Sequence, residues 1–338
     1  MRQVWIPRIG PPEVLELREA PDPQAGVGEI RIQVAAAGIN FADILARMGL
    51  YPDAPKLPAV VGYEVSGTVD QVGPQVTGVA EGDRVLALTR FKGYSDRVVV
   101  PSAFASPIAT ELSFESAAAI PVNYLTAWLM LVWLGNVRQG DRVLVHAVAG
   151  GVGQAALQVC RHFGAEVLGT ASAGKHERLR ELGVSLPIDY RSEDFEARVL
   201  EATGGRGVDL ALDAVGGASF SKSYRCLAPL GRLYVFGLSS AATGKRRSIP
   251  VALRQVLRTP KFKPIDLMNR NRGVQGVNLG HLWKEVDRLS SMLTEIVRLA
   301  EQGVLAPVVD RTFPLTRAAD AHAYIQERKN FGKVLLVP

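Results

Sequence analysis

Short runs of alternating apolar and polar side chains dominate the first hundred residues. Glu29-Ile30-Arg31-Ile32-Gln33-Val34 repeats with period two, the signature of a strand with one buried face. The stretches 64–72 and 83–88 follow the same pattern, punctuated by Gly62, Gly67, Gly73-Pro74 and Gly82. This spacing predicts a many-stranded, barrel-like β domain.

Beyond an apolar helix near 122–134 the period changes. A short apolar strand at 142–147 leads into a Gly-rich turn and a helical run at 154–163. Strands are expected at 166–170, 208–213 and 232–236, with a helix at 175–182. Strands alternating with helices at this spacing predict a doubly wound parallel sheet. Leu282, Val286, Leu289, Leu293, Ile296 and Ala300 mark one face of a long helix that Gly303 ends. The last strand, 333–337, has no other sheet to complete and is expected to rejoin the first domain. The expected organisation is an α/β chain with a β-rich domain at 1–121 and 303–338 and a parallel-sheet domain at 122–302.

A chain of 338 residues is more than one hydrophobic core usually serves, which agrees with two domains. At 47% hydrophobic and 21% charged residues it is neither disordered nor fibrous. The only cysteines, Cys160 and Cys226, fall in helical stretches, so neither a disulfide framework nor a zinc cluster is available. With no secretory pattern at Met1-Arg2-Gln3-Val4-Trp5, a soluble cytoplasmic protein is expected. The stretch 116–137 carries no charge and is long enough to cross a bilayer. Pro121, Asn123, Thr126 and Gly135 interrupt it, and a buried inter-domain helix is the expectation.

The formal net charge of +6 is local in origin. Nine basic residues from Lys245 to Arg272 (Lys245, Arg246, Arg247, Arg254, Arg258, Lys261, Lys263, Arg270, Arg272) face one acid, Asp266. The segment reads either as a solvated face or as a docking surface for an acidic partner or a membrane. No nucleic-acid partner is expected.

The turn His146-Ala147-Val148-Ala149-Gly150-Gly151-Val152-Gly153-Gln154 joins a strand to a helix. Glycines there let the backbone approach a pyrophosphate, and the helix N-terminus aims free N–H groups at it. Val148 stands where the first glycine of the usual pattern belongs. After the next strand, Gly169-Thr170-Ala171-Ser172 has no acid before Lys175. An acid there would accept from ribose hydroxyls and repel a 2′-phosphate. Ser172, Lys175 and Arg178 instead suit that phosphate, which favours NADPH.

Asn40 stands where a zinc-ligating thiolate would sit in an alcohol dehydrogenase, and Tyr63 where an imidazole would. The histidines show no metal-ligand spacing, and no metal is expected. Reduction of a quinone or an activated C=C bond then suits the residues better than alcohol oxidation, because a conjugated acceptor delocalises the arriving charge. No His–Asp or Ser–Lys arrangement at usable spacing competes as an acid–base pair.

Gly38-Ile39-Asn40-Phe41-Ala42-Asp43, Gly49-Leu50-Tyr51-Pro52 and Ala149-Gly150-Gly151-Val152-Gly153 resemble the zinc-free quinone oxidoreductase branch of the medium-chain dehydrogenase/reductases. Asn123-Tyr124-Leu125-Thr126-Ala127, the run Thr170 to Glu177, Pro187-Ile188-Asp189-Tyr190 and the run Lys329 to Pro338 are similar to the synaptic-vesicle membrane protein (vesicle amine transport) homologues within that branch. The resemblance implies a GroES-like catalytic domain joined to a Rossmann domain. It implies that Asn40 and Tyr51 face the nicotinamide and substrate cleft, with Thr126 near the carboxamide. Gly150, Gly151, Val152 and Gly153 would hold the pyrophosphate. Lys175 and Tyr190 would contact the 2′-phosphoadenosine, and Arg328 would close over it. Phe236, Gly237 and Ser239 would lie at the nicotinamide ribose. Asn40 also reads as a turn cap and Tyr51 as a packed loop aromatic. A homodimer is implied through the edge-like strand at 272–277.

The expected function is NADPH-dependent hydride transfer to a small quinone or enone. Two alternatives remain: an NADPH-binding interaction protein using the 245–272 surface, and a stand-alone enoyl reductase acting on a thioester-linked chain.

Overall fold

The computed structural model describes residues 1–242, 244–245 and 247–338; Arg246, counted in the basic segment, lies outside the described residues. Two compact units emerge. One joins Met1–Leu125, Gly244–Arg247 and Leu279–Pro338, the other Thr126–Thr243 and Ser248–Asn278.

In the first unit the chain lays down β1 (Arg2–Trp5), β2 (Glu16–Glu19), β3 (Glu29–Gly38), β4 (Glu64–Val72), β5 (Arg84–Leu88), β6 (Arg97–Pro101) and β7 (Ala105–Pro107). The alternation in β3 sends Ile30, Ile32 and Val34 into a core shared with Val65, Val69, Val85 and Val98. β3 is the hub, pairing antiparallel with β4 and with β6.

The second unit is built on β8 (Arg142–Val145), β9 (Glu166–Ala171), β10 (Val184–Asp189), β11 (Val208–Asp213), β12 (Leu227–Val235) and β13 (Gly273–Gly276). All pair in parallel, in the order β10-β9-β8-β11-β12-β13. Counted from β8, that order is 3-2-1-4-5-6, the Rossmann arrangement, in which the strand order reverses between β8 and β11. The strand foreseen at 142–147 stops at Val145 because Ala147 turns out of the sheet with φ +52. β13 is an edge strand, as its sequence suggested.

β14 (Val309–Pro314) and β15 (Lys333–Val337) return to the first unit. β15 inserts between β14, parallel, and β3, antiparallel. The return begins at Leu279, where the sequence pattern placed it at residue 303. The helix Val286–Glu301 accounts for the difference. Trp283, just before it, packs edge-on against Phe104 with ring centroids 5.0 Å apart, and Glu301 Oε1 accepts from the Ala109 N–H at 2.8 Å. Leu289, Leu293 and Ile296 are buried as their spacing required, while Leu282 lies ahead of the helix.

The uncharged stretch is divided among the helices Phe114–Ala118 and Pro121–Trp128 and a π-helical turn, Leu129–Trp133. Among the described residues no helix is long and apolar enough to cross a membrane. A different apolar surface is exposed on the second unit. Leu253, Val256 and Leu257 of the helix Ile249–Leu257 face solvent, as do Ile265 and Met268 of the helix Pro264–Arg270. Exposed Arg254, Arg258, Lys261, Lys263 and Arg270 lie along the same segment.

Candidate functional site

Asn40 follows the end of β3 and is the N-cap residue of the helix Phe41–Arg47. A cap usually folds its side chain back onto the first turn. Asn40 also turns its amide toward two buried charged groups. Its Nδ2 donates to Glu64 Oε1 at 2.9 Å, and its Oδ1 accepts from Lys333 Nζ at 2.8 Å. Glu64 is fully buried and ion-paired with Lys333, itself 3% exposed; the second Glu64 oxygen accepts the Val122 N–H at 2.7 Å. The carboxylate and the ammonium therefore fix which end of the amide faces which way. Turning it over would set NH2 against an ammonium and oxygen against a carboxylate. One Nδ2 hydrogen is left to donate elsewhere.

Asp43 anchors the same turn from below. Its Oδ2 accepts the Asn40 N–H at 2.8 Å and the Tyr94 hydroxyl at 3.1 Å, and its Oδ1 accepts the Gly62 N–H at 3.0 Å. Burial pushes the Asp43 carboxyl up to about 7 against these donors. The Tyr94 hydroxyl also lies 3.0 Å from His322 Nε2, and burial holds that imidazole well below its ordinary value, with Arg47 adding to the effect. Gly62 is required here: its φ is +103, and a Cβ would lie 2.6 Å from the Tyr94 ring.

Tyr51 follows the same helix and is half-buried. Its ring meets Tyr63 edge-on, centroids 6.3 Å apart at 89°, and Tyr63 leans on Phe91 at 5.4 Å. Tyr63 is thus a packing residue of this aromatic row, its hydroxyl pushed up chiefly by burial.

The second unit gathers most of the other expected residues near the carboxyl ends of its strands. Gly150 is the N-cap of the helix Gly151–His162, so Gly151, Val152 and Gly153 form the first turn, whose N–H groups have no intrahelical acceptor. A Cβ on Gly153 would lie 2.5 Å from the Ala147 carbonyl oxygen and 2.6 Å from the Val148 Cα. The helix can approach its strand this closely only with glycine there. Val148, in the place of the missing glycine, is fully buried with Gly169 across from it.

One strand over, Ala171 of β9 lies level with Asp189 of β10, so Ser172 and Tyr190 leave adjacent strands side by side. Ser172 begins a 3-10 turn, Ala173–Lys175, that ends on Lys175. The Arg191 guanidinium lies 5.7 Å from the Tyr190 ring centre. A nearby acid, Asp189, is turned onto its own loop, accepting from Ser192 Oγ at 2.8 Å and the Arg191 N–H at 3.2 Å. These bonds hold its carboxyl below the usual range. On the other side of β8, Phe236 and Gly237 follow β12, and the Ser239 N–H donates to the Ala214 carbonyl at 2.9 Å. Thr126 is buried on the helix Pro121–Trp128. Arg328 belongs to the first unit, in left-handed backbone with φ +57 after the helix Ala318–Gln326.

The glycine cradle and the free helix N-terminus fit the pyrophosphate of a nicotinamide dinucleotide. Glu64 and Lys333 are the site residues that the sequence reading did not single out. Their signal was there: each is a charged residue opening a strand of a buried sheet, where a lone charge is costly.

Residues 26–108 match the alcohol dehydrogenase GroES-like domain and residues 182–336 the zinc-binding dehydrogenase family. The synaptic vesicle membrane protein VAT-1 homolog of Mus musculus is 42% identical over 325 residues, spanning 96% of this chain and 80% of that protein. The pikromycin polyketide synthase component PikAII of Streptomyces venezuelae is 36% identical over 319 residues, 94% of this chain and 8% of that protein. Among solved structures, Escherichia coli quinone oxidoreductase complexed with NADPH superposes with a TM-score of 0.88 at 30% identity, covering 100% of both chains.

The zinc that one family name implies does not fit the residues in place. Where thiolate and imidazole ligands would converge, this chain has an amide, a packed tyrosine and a carboxylate already neutralised by an ammonium. Among the described residues no His, Cys, Asp and Glu side chains gather into a group that would hold a metal ion. With its GroES-like and Rossmann units, the chain belongs to the medium-chain dehydrogenase/reductase superfamily, as an oxidoreductase related to the quinone oxidoreductases and the VAT-1 homologs.

Proposed function

We propose that this protein is an NADPH-dependent, zinc-independent reductase of quinones or α,β-unsaturated carbonyl compounds. The observation that carries the reading is the locked amide of Asn40, which keeps one N–H to offer and has no metal to hold. NADPH, when bound, supplies the hydride. Gly150, Gly151, Val152 and Gly153 bind its pyrophosphate, Ser172, Lys175 and Tyr190 its 2′-phosphate end, with Arg328 closing over that end. Phe236, Gly237, Ser239 and Thr126 line the nicotinamide side. Asn40 and Tyr51 donate hydrogen bonds to the acceptor carbonyl, whose oxygen gains negative charge as hydride arrives. Neutral donors aimed at that oxygen are enough to lower the barrier.

Steady-state rates with a panel of quinones, enones and enoyl thioesters, each with NADPH and NADH, test this reading. Turnover of quinones or simple enones with NADPH is expected, and a protein that reduces none of the panel would overturn it. Tyr51→Phe removes one donor and keeps the ring against Tyr63. Turnover should fall roughly tenfold, the effect of losing one oxyanion donor of modest strength, with NADPH affinity unchanged. Full turnover by Tyr51→Phe on every acceptor would make Tyr51 a packing residue only. The likeness to a polyketide synthase component favours a second reading, an enoyl reductase on thioesters. Strict dependence of the rate on a pantetheine handle would select it.

We also propose a homodimer. Among the described residues β13 leaves one edge of the parallel sheet unpaired, and the exposed apolar side chains between Leu253 and Met268 precede it directly. Light scattering at micromolar concentration should give twice the chain mass of 36.4 kDa. A single chain mass would count against pairing.

A further inference from the structure

Resting on the NADPH reading, we infer that His146, with its proton on Nε2, is a positioning residue that ties the pyrophosphate loop to the loop on the nicotinamide side. The sequence reading found no His–Asp arrangement at usable spacing. The fold nonetheless brings His146, at the end of β8, next to Asp213, at the end of β11, with 3.7 Å between Nε2 and Oδ2. Ser223, on the helix Ala218–Arg225, lies between them.

The hydrogen bonds run in one direction. Ser223 Oγ donates to Asp213 Oδ2 at 2.7 Å, so its oxygen is left to accept from His146 Nε2 at 2.9 Å. That places the imidazole proton on Nε2 and makes Nδ1 an acceptor. The Thr170 hydroxyl, 3.2 Å from Nδ1, donates to it. The Thr170 oxygen in turn accepts the Ala147 N–H at 3.1 Å. Ala147 is held at φ +52, a conformation a non-glycine residue keeps only when its neighbours enforce it. It is the residue whose carbonyl Gly153 packs against.

At the far end, Asp213 Oδ1 accepts the Val215 and Gly216 N–H groups at 2.8 and 3.2 Å. The carbonyls of Ala214 and Val215 accept from the Ser239 and Ser240 N–H groups at 2.9 and 3.0 Å. One chain of bonds therefore runs from the turn after β8 to the loop after β12. It crosses the place where the strand order reverses. His146, Thr170, Asp213 and Ser223 are all buried, and Phe195 covers the imidazole edge-on at 4.6 Å. Burial lowers the affinity of His146 for a second proton, with Asp213 opposing, and no solvent is at hand to repair a missing bond.

The test is direct titration with NADPH, followed by fluorescence, on the full chain. His146→Phe keeps the ring against Phe195 and deletes both nitrogens, and should raise Kd about tenfold, as expected when a buried hydrogen bond is left unmade. Ser223→Ala, on the helix behind, cuts the same relay and should weaken NADPH as well. The double variant should be no weaker than His146→Phe alone, because both break one unit. In the wild type, the 15N shifts of the imidazole should show the Nε2–H tautomer. Where His146→Phe does not fold, Thr170→Val breaks the link to Ala147 and should raise Kd in its place. A Kd within about twofold of wild type in the folded variants, or effects that simply add, would overturn the assignment. Wild-type protein that does not bind NADPH would overturn the nucleotide reading and this assignment with it; wild-type binding with insensitive variants removes the assignment alone.

Discussion

Lys333→Met should destabilise the first unit by about 3–5 kcal/mol, the range for removing one partner of a buried ion pair. Glu64 would keep the Asn40 amide and the Val122 N–H as donors and lose the cation that balances it. The loss arises from the charge left behind. Lys333→Met combined with Glu64→Gln should therefore recover much of the stability that Lys333→Met loses. Because both side chains are buried, added salt should change the effect little. Turnover should fall most in the double variant, where neither a carboxylate nor an ammonium is left to decide which way the Asn40 amide points. Urea unfolding of the single and double variants checks the first claim, and acceptor reduction checks the second. A loss under about 1 kcal/mol in Lys333→Met would place this pair with the weak surface bridges.

Lys175→Ala should raise the Michaelis constant for NADPH roughly ten- to a hundredfold and leave that for NADH nearly unchanged, the expected result of losing one charge-assisted contact. Ser172 and Tyr190 emerge level with one another from β9 and β10, and Lys175 ends the turn that Ser172 begins. The acids close by, Asp189 and Glu193, are both bound within the turn after β10: Asp189 accepts from Ser192 Oγ and the Arg191 N–H, and Glu193 accepts the Asp189 N–H at 2.8 Å. A 2′-phosphate there would meet donors and cations on both sides. Parallel steady-state titrations with the two cofactors decide it. An unchanged NADPH constant in the variant, or equal wild-type constants for both cofactors, would remove Lys175 from the phosphate site.

The strands were most legible where alternation was strict. Residues 29–34 fold as read, since slipping them by one residue would turn Ile30, Ile32 and Val34 to solvent, while the runs 208–213 and 333–337 are short strands buried along nearly their whole length. The long helix was legible too, but its partner was not. An apolar face at Leu289, Leu293 and Ile296 says that something covers it and leaves open which unit does so, hence the shifted boundary. The site shows the same limit. The glycine turn is contiguous and could be read along the chain. The Glu64–Lys333 pair joins residues 269 positions apart, and the His146–Asp213 relay joins separate strands. Tertiary pairing created both, and no local spacing encodes it.

The placement of β15 also sets a timetable for synthesis. β3 and β4 leave the ribosome early, whereas the strand that docks on β3 follows 269 positions after Glu64. At about 5–20 residues per second that interval is on the order of 10–50 s. Throughout it, the Ala37–Gly38 end of β3 lacks the strand that pairs with it, and a carboxylate destined for burial has no cation. The parallel-sheet unit, encoded almost without interruption between these points, is complete before the first unit can close. Vectorial synthesis thus reverses the order in which the units are encoded, and the nascent first unit stays open until translation delivers the lysine.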